Sequence, residues 1–308
     1  MSSTPRSGQQ FTLTAGGYVA EIASVGASLR TLRHAERDLV VPFDADEVRP
    51  GYRGATLAPW PNRVVDGRYV DDDGLHQLAL TEPDRGHALH GLVCWQDFVP
   101  IGEVSAEHVA LTATIVPQQG YPHRVEVTVD FTLGADGLST TVTGTHLGPG
   151  RAPWGTGPHP YLVGGPGLVD DWTLELPAAT VLTVTPDRLV PLDLLDVTLA
   201  EGGRWDFRSP RRIGDTFLDH AFTDLLRVGG QSSVRVGDGT GTGVVITFDT
   251  ACPWVQVHTA DLPDPTLSRR GLAVEPMTCA PDAFTSGRGL VRLGPGEAHT
   301  AGWRIAAR

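Results

Sequence analysis

The sequence predicts an all-β protein built from antiparallel sheets. Three observations carry that prediction. First, 37 Gly and 24 Pro are spread along 308 residues and cut the chain into short apolar runs, the punctuation of hairpins and loops. Second, Arg124 to Leu133 alternates strictly: Val125, Val127, Val129, Phe131 and Leu133 against Arg124, Glu126, Thr128, Asp130 and Thr132. A period of two puts one set on a buried face and the other toward water. Third, no segment keeps a helical period for more than about two turns.

Taken in order, strands are expected at 10–14, 18–23 and 109–116, then at Arg124–Leu133. The turn Gly134-Ala135-Asp136-Gly137 leads into the β-branched run Leu138–Thr145, which makes a hairpin with the preceding strand. Further strands are expected at 172–176 and 180–185. A second hairpin joins Ser233–Val236 to Val244–Phe248 through Gly237–Gly241, and strands at 254–259 and 301–306 close the series. Helical character is expected only around 193–200 and 281–286. With no linker, repeat or composition shift, the chain reads as one domain over 1–308, its first nine or so residues a tail, with two large sheets packed together. Pattern alone does not separate a sandwich from a barrel.

Bulk composition excludes several functions. The formal net charge is −12, which argues against nucleic acid or an anionic membrane as partner. All basic residues among the 24 Lys+Arg are arginines, so Schiff-base, pyridoxal-phosphate and P-loop lysine chemistry are ruled out. Cys94, Cys252 and Cys279 are too few and too scattered for a disulfide framework or a zinc knuckle. The start of the chain carries no secretory apolar region, and no stretch approaches the ~18 apolar residues of a membrane helix. A cytoplasmic location, as monomer or homodimer, is the expectation.

Glu275 stands out. It ends the apolar run Gly271–Val274 and is followed by Pro276. A carboxylate on a strand of that kind loses water, which raises its pKa toward the range of a general base. His159 lies between Pro158 and Pro160, which restrict its backbone. The two form a candidate acid/base pair. Trp60, Asn62 and Arg63 follow one another closely: an aromatic face on which a sugar can stack, then donors for hydroxyls. His87 and His90 are three apart, but in a strand such positions face opposite ways, so His90 is taken as a hydrogen-bonding group and no metal site is assigned. Asp219 is a candidate to grip vicinal hydroxyls.

These segments together resemble the aldose 1-epimerase (galactose mutarotase-like) family over about residues 10–306. Asn62-Arg63 with Gly67-Arg68-Tyr69, Leu89-His90-Gly91, Pro158-His159-Pro160-Tyr161-Leu162, Asp219-His220-Ala221-Phe222 and Glu275-Pro276 with Pro281-Asp282-Ala283 occur in the family's order. Two positions depart from the better-known galactose mutarotases: Pro158 precedes the histidine where they have Asn, and Ala58-Pro59-Trp60-Pro61 precedes Asn62-Arg63. The form Ala58-Pro59-Trp60-Pro61-Asn62-Arg63, with Ala273-Val274-Glu275-Pro276-Met277-Thr278-Cys279, looks more like a bacterial subgroup. The resemblance implies an antiparallel β-supersandwich and a cofactor-free mutarotase acting on a monosaccharide. It implies Glu275 as base, His159 as acid, and His90, Arg63, Asn62 and Asp219 as sugar ligands. Two alternatives stay open: a hexose-6-phosphate epimerase using Arg53, Arg63, Arg85, Arg269 and Arg270, and a sugar-binding protein without catalysis.

Overall fold

The computed structural model describes residues 4–308. Its largest sheet has nine strands, in the order Val99–Ile101, His108–Ile115, Val125–Gly134, Gly137–His146, Ala298–Ala307, Gly243–Phe248, Ser232–Gly237, Thr173–Glu175, Arg211–Arg212. A six-stranded sheet runs Tyr161–Leu162, Leu272–Met277, Trp254–His258, Asp219–Leu225, Ala178–Val184, Pro191–Asp196. A four-stranded sheet, Gln10–Ala15 to Arg37–Asp38, and several two-stranded ribbons complete the fold. Every pairing within these sheets is antiparallel, as expected from the hairpin-rich sequence.

Both predicted hairpins form. Val125–Gly134 pairs with Gly137–His146, and Ser232–Gly237 with Gly243–Phe248. In the first, Val125, Val127, Val129, Phe131 and Leu133 are buried while the residues between them are not. They join one contiguous apolar core that also takes Leu13 and Ile22 from the N-terminal sheet and Val255, Val257, Leu272 and Val274 from the six-stranded sheet. One helical expectation is corrected. Residues 191–196 form the edge strand of the six-stranded sheet, followed by a short 3-10 turn at Ala200–Gly203. Leu192, Leu194 and Leu195 are exposed there, so their spacing reports no buried helical face. The other expectation holds as a single turn, Ala283–Ser286.

The six-stranded sheet positions the site. Antiparallel register sets Glu275 opposite Gln256, His258 opposite Asp219, and Tyr161 opposite Ala273. Directly opposed residues share a face, and residues two apart on a strand do too. Tyr161, Glu275, Gln256, His258 and Asp219 therefore stand on one face. Leu272 and Val274, between the cleft residues, point the other way into the core. The strand Leu272–Met277 is buried at every position.

Candidate active site

Two loops bring the remaining groups over that face. Asn62 has a left-handed backbone (φ 54°), which Asn tolerates better than most residues. Its carbonyl accepts the N–H of His90 at 2.8 Å, and its side-chain oxygen accepts the N–H of Arg63 at 2.9 Å. Gly91 follows at φ 76°. A Cβ there would stand 2.1 Å from the Ala58 carbonyl oxygen, so only glycine fits. Asp282 ties this loop to the segment after Glu275: its N–H donates to the Arg63 carbonyl at 2.8 Å, and its carboxylate accepts from Val65 N–H at 2.9 Å. His159 is held through its own backbone, donating to Ala55 O at 3.0 Å and accepting from Gly54 N–H at 2.8 Å.

The result is a cleft of about 480 Å³ lined by Tyr52, Asn62, Arg63, Glu82, Arg85, His90, His159, Tyr161, Asp219, Gln256, His258, Asp261 and Glu275 among others. That lies within the roughly 300–1,000 Å³ of small-molecule sites. At its floor His159 Nε2 is 3.5 Å from Glu275 Oε1. Glu275 Oε2, His159 Nδ1, His90 Nδ1 and Gln256 Oε1 are buried with no protein partner. Buried polar atoms are nearly always hydrogen-bonded, so four orphaned atoms converging on one cleft mark where a polyhydroxylated ligand would be read. His90 and His159 meet edge to face at 4.9 Å, and Tyr161 stacks on His159 at 5.1 Å.

Electrostatics follow from burial. Desolvation drives the Glu275 carboxyl well above its usual range; the Asp219 charge adds to this and Arg63 opposes it. Desolvation, reinforced by His258, pushes His159 down to about 3, with Asp219 pulling the other way. His90 is lowered for the same first reason, with His159 next. For Asp219, burial opposes ionisation, but His258, Arg63, His220 and the bond from Gln256 outweigh it, and its pKa falls. Gln256 Nε2 donates to Asp219 Oδ1 at 2.6 Å, and His258 Nδ1 lies 3.8 Å from Oδ2. Arg63 forms a bidentate pair with Glu82, at 2.7 and 2.9 Å.

Of the residues singled out in the sequence, Glu275, His159, His90, Arg63, Asn62 and Asp219 all line the cleft. Trp60 does not. It is 3% exposed, packs edge to face on Phe284 at 5.3 Å, and donates its indole N–H to Ala88 O at 3.3 Å. It is a core residue beneath the loop, because the chain reverses at Asn62 and turns the indole inward. His87 is likewise used up structurally, accepting from Asp66 N–H at 3.2 Å and contacting Arg188 O at 2.9 Å. Gln256, His258, Tyr52 and Glu82 were missed. Gln256 and His258 carried a signal: both interrupt the apolar alternation Val255, Val257 in a predicted strand.

The fold and this cleft together define an all-β protein of galactose mutarotase-like architecture with an imidazole–carboxylate site. The model of the family described as aldose 1-epimerase matches residues 9–306, and the chain belongs to that family. It is 36% identical over 301 residues to an uncharacterised Escherichia coli K12 protein, YihR, covering 95% of this chain and 91% of that one. It is 25% identical over 294 residues to the galactose mutarotase of Sus scrofa, covering 87% and 82%. Among solved structures, a putative aldose 1-epimerase from Escherichia coli K12 superposes with a TM-score of 0.82 at 22% identity, covering 97% of this chain and 99% of that one. An aldose epimerase homologue from Caenorhabditis elegans superposes at 0.83 with 18% identity, covering 97% and 98%. No helix among the described residues is long and apolar enough to cross a membrane.

Proposed function

We propose that this protein is an aldose 1-epimerase that interconverts the α and β anomers of a hexose such as glucose or galactose. One observation carries the reading: His159 and Glu275, 3.5 Å apart at the cleft floor, each with its second polar atom unpartnered. Mutarotation needs one group to take the proton of the C1 hydroxyl and another to give one to the ring oxygen. As the C1–O5 bond opens, Glu275 takes the first proton and His159 gives the second. The open aldehyde turns about C1–C2 and closes on the other face with the two roles reversed. One proton enters the pair and one leaves, so its net charge is unchanged over a cycle.

Burial by itself places the shared proton on Glu275 and removes it from His159. Arg63 opposes the first bias and Asp219 the second. Neither charge overcomes burial in the free site, so Glu275 acting as base and His159 as acid requires the proton to pass from Glu275 to His159 across their 3.5 Å contact before the C1–O5 bond opens. The orphaned His90 Nδ1 and Gln256 Oε1, with Asp219, Asn62 and Arg63, suit sugar hydroxyls and contribute orientation more than chemistry.

A neutral aldose is favoured by the way the arginines are spent. Within the cleft, Arg63 and Arg85 both bond to Glu82, and Arg269 is paired with Asp170 and Asp261. The test is polarimetric or NMR mutarotation of freshly dissolved α-D-glucose and α-D-galactose. Acceleration by wild type and not by Glu275→Gln is the expected result. Equal acceleration by both proteins would remove Glu275 from the reaction, and none by either would overturn the activity for these sugars.

A further inference from the structure

Tyr161 lines the cleft beside His159, and its hydroxyl proton is already engaged: it donates to Gly51 O at 3.1 Å. What Tyr161 offers His159 is its ring. The two centroids are 5.1 Å apart and the planes only 27° from parallel, so the imidazole lies against the phenol face rather than its edge. His90 meets the same imidazole at 85°, edge to face. The Tyr52 ring is also near-parallel to it, at 26°, but further off at 6.2 Å. Tyr161 is fixed where it stands. Its strand edge sets it opposite Ala273, and its carbonyl accepts from Val41 N–H at 2.8 Å. A Cβ on Gly271 would stand 2.9 Å from the Tyr161 Cβ, so the glycine leaves room for this side chain. Burial holds the phenol pKa above its ordinary range; Glu275 and Asp219 add to this and Arg53 opposes it. The ring is therefore that of a neutral phenol.

The face of such a ring carries negative potential and attracts a cation within about 6 Å of its centroid, most strongly where water is excluded. A neutral imidazole gains much less from the same contact. The stacking thus distinguishes the two forms of His159, and the reaction needs the charged one. Most of what surrounds the imidazole is set against charge. Burial is the largest such influence, and His258 and Arg49 act in the same direction; its own backbone and Asp219 act in the other. Glu275, 3.5 Å away, attracts the cation only after giving up its own proton. The aromatic face is there before that transfer and does not depend on it.

We infer that Tyr161 is a positioning residue for the proton transfer, its π face holding His159 as the imidazolium that gives a proton to the ring oxygen, with Tyr52 a weaker second ring. This rests on the epimerase reading. Anomer exchange of glucose and galactose is measured for wild type, Tyr161→Phe, Tyr161→Leu, and Tyr161→Phe carrying one, two and three ring fluorines. Fluorine drains charge from the ring face and barely changes its size. Tyr161→Phe keeps the face and should stay within about twofold of wild type, whereas Tyr161→Leu should lose about tenfold in kcat with KM within about threefold. Each added fluorine should lower kcat further, a graded series that a space-filling role would not produce. An equal kcat across the fluorinated proteins overturns the inference, even where Tyr161→Leu fails to fold. NMR of the His159 ring nitrogens separates this from the activity. If no sugar is epimerised, the epimerase reading fails, but the imidazole should still take up its proton about one pH unit lower in Tyr161→Leu, or in the trifluorinated protein, than in Tyr161→Phe. Equal midpoints, or no protonation above pH 4 in any of them, would overturn the role of the ring.

Discussion

Two strands of this molecule obey different rules. Val125–Gly134, in the nine-stranded sheet, alternates buried positions with partly exposed or exposed ones. Its polar side chains all face outward, so each is solvated at no cost. Leu272–Met277, in the six-stranded sheet, is buried at all six positions, and one of the six is Glu275. A carboxylate on a one-sided strand can turn to water; on a strand covered on both sides it cannot. The first strand is a scaffold whose polar residues are interchangeable. The second holds a group whose hydration has been removed, and that is how an ordinary carboxylate becomes a base of useful strength at neutral pH.

The sharpest way to break this contrast is to remove the charge from the buried strand. Glu275→Gln keeps the shape and is expected to lower kcat by roughly 10²–10⁴, the usual worth of one acid/base group. Stopped-flow polarimetry reads it directly. Asp219→Asn comes next. Asp219 is fixed by Gln256 and faces His258 without touching the His159–Glu275 pair. Its loss should therefore appear mainly as a KM raised about tenfold, the signature of lost uniform binding. A fall in kcat as large as that of Glu275→Gln would instead place Asp219 in the proton transfer.

A third comparison concerns the sugar. Glucose is expected to give a higher kcat/KM than glucose 6-phosphate, because the arginines inside the cleft are already held by Glu82. Arg53 and Arg270 border an adjoining recess that shares Gly51, Tyr161 and Leu262 with the cleft. Preference for the phosphate would bring that recess into the site.

The scaffold strand was legible in the sequence because solvent wrote its pattern: polar outside, apolar inside, residue by residue. The buried strand was legible for the opposite reason, as one acid in an apolar run. What escaped was whatever depended on contacts between distant segments. Helical character is expected around 193–200, yet 191–196 is an edge strand whose Leu192, Leu194 and Leu195 face solvent. The sequence offers Trp60 as an aromatic face for a sugar, but the structure buries it against Phe284 beneath the loop, while its neighbours Asn62 and Arg63 line the cleft. Gln256 shows locally only as a polar position between Val255 and Val257; that it faces Glu275 follows from the register between two strands, which no local pattern reveals.

The smallest effect is the most direct measure of what desolvating Glu275 costs. Its folded-state pKa is raised well above its ordinary value of 4.5, so the folded protein binds this proton more tightly than the unfolded chain does. Stability on that account is fully present below the unfolded value. It declines as pH rises from there toward the folded pKa, because ionising the buried group works against folding. Glu275→Gln cannot ionise and escapes the penalty. The variant should therefore melt a few degrees above wild type at pH 8, with the gap closing as pH falls toward 4.5. Glu126→Ala, on the solvated face of the scaffold strand, should shift stability by less than about 0.5 kcal/mol at either pH. Thermal melts of the three proteins at pH 5 and pH 8 decide it. A Glu275→Gln variant less stable than wild type at pH 8 would mean that the carboxylate is solvated or paired, and that the buried strand carries its charge as cheaply as the scaffold does.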